Sequence, residues 1–219
     1  MENALIGYSA QAAFLGWILG GAPTDTKPVD DQRIIHLFEG MKSRMGMNEV
    51  AISLRQSEKV GVARATGFDV GFGATYQITV SSRKFSVLSD EEISALIAHE
   101  LFHIKHGDTI RLTFTLFITQ LASTSLFVQY VSDFSKIAAV GGSLLGLGIT
   151  LFGYSPAIEF QAEAATAKVL TEAEIRAYIN YHGGGKEDSS NLLHPDSTQV
   201  VRMLKRELDS RHYEVTKGM

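Results

Sequence analysis

His99-Glu100-Leu101-Phe102-His103 sets two imidazoles four residues apart, with a carboxylate beside the first. On a helix, residues i and i+4 project from one face about one turn apart. Both rings can then reach one metal ion, and Glu100 can reach a water bound to it and act as a general base. Five residues thus supply two ligands and a base for metal-assisted hydrolysis. The chemistry further requires a helix to carry them and a third protein ligand from elsewhere, with water in the fourth position.

The helix is well specified. Ser89-Asp90-Glu91-Glu92 has the form of a capping box, and Ile93, Leu96 and Ile97 follow at helical spacing into His99. Leu96, Ile97, Leu101 and Ile104 would bury it. The best candidate for the third ligand is Glu159, at the start of a helix in Ser155-Pro156-Ala157-Ile158-Glu159-Phe160-Gln161-Ala162-Glu163. Glu163, one turn on, is placed to accept a hydrogen bond from the outer N–H of His99 or His103. Such an acid fixes the tautomer of a ligating imidazole. His106 reads as a solvated helix-end residue.

The 219 residues carry a formal charge of −4, four prolines and no cysteine. One or two domains fit that length, and we read 1–219 as one. The charge gives no basic excess to suggest nucleic acid. Without cysteine, any metal must be held by histidine and carboxylate. Residues 30–46 predict an amphipathic helix on Ile34, Ile35, Leu37, Phe38 and Met41. Strands are predicted at 50–55, 60–65 and 75–81, with a glycine-punctuated turn over 67–73. A single amphipathic helix is predicted over 159–180 and a last one over 197–210.

Between the histidines and Glu159 the composition changes. Leu112–Ser132 is 21 residues without a charge, and Ile137–Ile158 is another 22. These have the length of a membrane helical hairpin. It leaves just after His103 and returns the chain to the same place, which brings Glu159 back to the histidines. Segment 1–24 is a further apolar stretch, read as a helix packed on the domain or lying in a membrane interface. Lys105, Arg111 and Lys168 flank the hairpin's base against Lys136 at its tip, a positive-inside bias favouring a cytosolic active site.

His99-Glu100-Leu101-Phe102-His103-Ile104-Lys105-His106-Gly107-Asp108, followed by Glu159-Phe160-Gln161-Ala162-Glu163, resembles the HtpX-like and CAAX prenyl protease family of zinc metalloproteases. The resemblance covers about residues 48–208. It implies a zincin-like α+β domain of gluzincin type, mainly helical, with a small sheet and a hydrophobic helical hairpin inserted after the motif helix. It also implies one Zn²⁺ per chain on His99, His103 and Glu159. An edge strand over Thr75, Tyr76, Gln77, Ile78 and Thr79 would pair with an extended polypeptide substrate. His194 would stabilise the oxyanion or block the metal until substrate arrives. The chain departs from the pattern in three places. Glu163 stands where the family has Asp. Thr66-Gly67-Phe68-Asp69-Val70-Gly71 replaces an Asn-Ala-Phe-Ala-x-Gly turn. Position 200, six residues after His194, is valine rather than arginine.

The sequence therefore predicts a membrane-associated zinc endopeptidase. The resemblance implies a role in protein quality control at the cell (inner) membrane, with the active site in the cytosol. The alternatives are a non-catalytic, zinc-stabilised membrane scaffold and a soluble cytoplasmic protease. A purely structural zinc site has no use for Glu100, which favours the first reading. Nothing in the chain specifies an oligomeric state.

Overall fold

The structure, a computed structural model, describes residues 25–68, 75–108, 155–184 and 196–217, with further helical positions at 111, 115, 118 and 122. Several expectations fall outside these residues: the apolar segment 1–24, the end of the glycine-rich turn, nearly all of the hairpin before 155, and His194. Among the described residues, no helix is long and apolar enough to cross a membrane.

Helix α1 (Gln32–Arg44) starts at Asp31, whose side chain accepts from the Arg33 N–H, and it buries Ile34, Phe38 and Met41. Strands β1 (Lys27–Pro28), β2 (Ile52–Gln56), β3 (Ala63–Phe68) and β4 (Thr75–Val80) form one sheet in the order β1-β2-β4-β3. β4 pairs parallel with β2 and antiparallel with β3. The chain leaves β2, skips a strand's width, and returns through the gap. β4 is consequently an interior strand, and the edge expected over Thr75–Thr79 belongs to β3.

A short helix α2 (Ser82–Phe85) leads into α3 (Asp90–His106), which carries the motif. The Ser89 side chain accepts from the Glu92 N–H and the Glu92 side chain from the Ser89 N–H, a complete capping box. All ten residues from Glu92 to Leu101 are buried. This is a core helix, packed by β3, α1, α4 and α5 rather than lying on the surface. Burial of Ile93, Leu96, Ile97, Leu101 and Ile104 contributes on the order of 10 kcal/mol. That gain lets the same helix hold two histidines and a glutamate out of water.

The stretch 159–180 is two helices, not one. α4 (Ser155–Val169) and α5 (Glu172–Gly183) are divided at Leu170, and a second capping box, Thr171 with Glu174, restarts the chain. Glu159 lies one turn inside α4 rather than at its start. α6 (Ser197–Lys217) runs further than predicted and buries Val200, Leu204 and Leu208. Arg211 donates to the Leu170 and Ala167 carbonyls, each at 2.7 Å, and Arg44 to that of Val169. Two cations thereby close the C-terminal end of α4, where orphan carbonyls favour positive charge.

Candidate metal centre

His99 and His103 project from one face of α3 and meet edge to face, with Nε2 atoms 3.0 Å apart. Glu159 arrives from α4, its Oε2 lying 3.3 Å from His99 Nε2 and 3.6 Å from His103 Nε2. Among the described residues, these three form a group able to hold a metal ion. Tetrahedral donors at about 2.0–2.1 Å from one cation stand roughly 3.3–3.4 Å from each other. The three observed separations bracket that spacing.

The outer nitrogens explain why the inner ones face each other. His103 Nδ1 lies 2.9 Å from Asp108 Oδ2, and His99 Nδ1 lies 3.3 Å from Glu163 Oε1. A carboxylate accepts, so the outer nitrogen of His103 carries the proton and its Nε2 presents a lone pair to the common point, while Glu163 stands beside the outer nitrogen of His99 as a charged neighbour. Two imidazole nitrogens and a carboxylate oxygen converge on one point. The donor set suits a cation.

Electrostatics agrees. Four carboxylates, Glu100, Asp108, Glu159 and Glu163, surround two imidazoles in a largely buried site. Arg111 reaches Asp108 at 3.8 Å. Burial disfavours charge on His99, but Glu163 and Glu159 outweigh it and hold its pKa above the ordinary histidine value. Burial likewise opposes charge on His103, yet Asp108, Glu159 and Glu100 raise its pKa well above ordinary. The pocket favours positive charge where the histidines meet.

Glu100 points towards the sheet, and the Ala65 N–H of β3 donates to its carboxylate. The ladder explains the free donor. Ser81 N–H donates to the Val62 carbonyl, so bonded pairs fall on even-numbered positions along this side of β3. Ala63, Ala65 and Gly67 therefore turn their backbone groups away from β4. Among the described residues, no other strand pairs with that outer edge. It runs past the general-base candidate.

Sequence reasoning missed three contributors. Asp108 follows Gly107, which ends α3 at φ 64° and turns the chain back so that Asp108 reaches His103. A glycine after the last helical histidine was the available signal. Tyr178 and His182, one turn apart on α5, lie against Glu163 at 3.0 Å and 3.9 Å. No local pattern announces them. Glu163 itself carries one methylene more than the expected Asp and meets His99, not His103.

Two histidines and a general-base candidate on one core helix, with a carboxylate from a second helix, define a centre of metallopeptidase type. The comparisons agree: residues 28–208 match the model of peptidase family M48, and the chain belongs to that family. Among curated proteins it is similar to two described as "Protease HtpX homolog", from two strains of Bacteroides fragilis. They are 29% and 28% identical over 136 residues. The matches cover 60% of this chain and 40% of each relative's length.

Proposed function

We propose that this chain is a zinc-dependent endopeptidase acting on extended polypeptide segments. The observation that carries the reading is the convergence of His99, His103 and Glu159 on one point, with Glu100 on the same helix facing the outer edge of β3. The centre would be held by those three side chains, and zinc bound there would supply Lewis acidity towards the scissile carbonyl and the attacking water. Glu100 takes the water proton and delivers it to the leaving amine. Asp108 and Glu163 keep both imidazoles in the ligating tautomer. Backbone groups of Ala63 and Gly67, with the Ala65 carbonyl, pair with the substrate main chain, which binds extended peptide with little demand on side chains. His194 is proposed as a donor to the developing oxyanion.

Membrane quality control is proposed as the setting. The membrane part is supported by the pair of uncharged runs between the motif and Glu159, together with the apolar segment 1–24, and the quality-control part by the family resemblance.

The test is Glu100→Gln. We expect bound zinc to stay at one equivalent and casein or self-cleavage to fall about 10²–10⁴-fold, the usual worth of a positioned base. Undiminished cleavage by the variant would overturn the mechanism. Zinc bound without cleavage in either protein would favour the non-catalytic scaffold.

A further inference from the structure

Behind His99 lies a buried polar cluster of which the proposed mechanism uses Glu163 but neither Tyr178 nor His182. Glu163 is 2% exposed, Tyr178 1%, His99 4% and His182 6%. Glu163 Oε1 is its hub. It accepts from the Tyr178 hydroxyl at 3.0 Å, faces His99 Nδ1 at 3.3 Å, and has His182 Nε2 at 3.9 Å. Glu163 Oε2, by contrast, is buried without a hydrogen-bond partner among the described residues. The orientation of the carboxylate therefore depends on what holds Oε1. The shortest of the three contacts comes from Tyr178, on a helix that contributes no ligand.

Tyr178 is itself firmly placed. Its ring packs against Tyr181 and His182 of the same helix, with centroids 6.2 Å and 4.5 Å away. Helix α5 packs on α3 and α6. A phenol fixed by its ring and donating from its tip is a rigid hydrogen-bond post.

We propose that Tyr178 is a positioning residue of the metal centre: its hydroxyl pins Glu163 Oε1, and the pinned carboxylate holds His99 in the tautomer and orientation that ligate the ion. The inference rests on the metal-centre reading above and extends the centre to a third helix. Losing the hydroxyl frees the carboxylate to turn about its last torsion, and His99 loses its fixed acceptor. Partners of this kind are usually worth about 10–100-fold in metal affinity.

The experiment uses the full chain and two probes, Zn²⁺ measured by competition with a chromophoric chelator and Co²⁺ read by its visible absorption. Tyr178→Phe keeps the ring and its packing. We expect it to melt within a few degrees of the parent, bind zinc about 10-fold more weakly, and show a shifted cobalt band. Glu163→Gln should bind more weakly still, and adding Tyr178→Phe to it should cost little more, because the tyrosine acts through that carboxylate. Ile175→Val, a buried truncation on the same helix that leaves the polar cluster whole, should leave affinity and cobalt spectrum unchanged. A Tyr178→Phe protein with parental affinity and spectrum overturns the proposal while leaving the metal centre standing. So does an equal loss in the Glu163→Gln background. A parent chain that binds neither ion removes the metal-centre reading and this inference with it.

Discussion

His103 and His99 face the same point, yet they are held in different ways. The acid behind His103 is Asp108, five residues on, delivered by the left-handed turn at Gly107 that ends the same helix. The acid behind His99 is Glu163, which reaches it from α4 and is held in turn by Tyr178 of α5. One arm is assembled by local sequence, the other by the packing of three helices. The local arm forms whenever α3 forms and ends correctly. The remote arm depends on how α4 and α5 are seated, so distant substitutions should reach it and leave the local arm untouched.

The largest effect is expected where the two arms meet. Glu159 contacts both imidazoles and belongs to neither arm. Glu159→Ala should weaken zinc binding about a thousand-fold, about 4 kcal/mol, and abolish peptide cleavage. Chelator competition and a casein assay read the two. Retained tight binding would show that another side chain completes the donor set.

The arms themselves separate in double variants. Asp108→Asn should weaken zinc binding about 10–100-fold, in the range expected for Glu163→Gln. Combined with Tyr178→Phe, Asp108→Asn should add its full effect in log affinity, because the two residues serve different histidines. Strong non-additivity between Asp108 and Tyr178 would mean that the two histidines are held as one unit rather than by separate arms.

The same contrast governs what could be read from the chain. The Ser89 capping box, the spacing of His99 and His103, and the apolar residues of α3 are local signals, and the structure has each where the sequence puts it. Glu159 was reachable because an antiparallel hairpin, the expectation for the uncharged runs outside the described residues, would bring the chain back near His103. The split between α4 and α5 was legible as well, since Thr171 and Glu174 form a capping box, but the apolar rhythm of 159–180 runs across the break and masks it. The interior place of β4 could not be read. Strand order depends on which gap the returning chain fills, and Thr75–Val80 has the same alternation at an edge or in the middle. Tyr178 and His182 were invisible for a similar reason. Tyr178 and Glu163 sit on different helices, and only packing brings them together.

The smallest expected effect tests the remote arm from its far end. Arg44 of α1 grips Glu174 with both ends of its guanidinium, at 2.6 Å and 2.9 Å, and Glu174 caps the helix that carries Tyr178. Burial pushes the Glu174 carboxyl upward, but Arg44 and the Thr171 donors outweigh it and hold its pKa below the ordinary glutamate value. A carboxyl with a depressed folded-state pKa stabilises fully above its unfolded value of about 4.3. That stability is lost as the pH falls through the lower folded value. Arg44→Ala should therefore destabilise the protein by about 1–2 kcal/mol at neutral pH. This is less than for a fully buried pair, because the Arg44 side chain is 36% exposed. Urea melts of parent and variant should show that gap constant from pH 7 to about pH 5 and narrowing below pH 4. Seating of α5 also predicts a modest loss of zinc affinity in Arg44→Ala that vanishes when Glu163→Gln is already present, and no coupling to Asp108→Asn. A gap that widens on acidification would mean that Glu174 is not the charged partner, and the brace from α1 to His99 would be wrong at its first link.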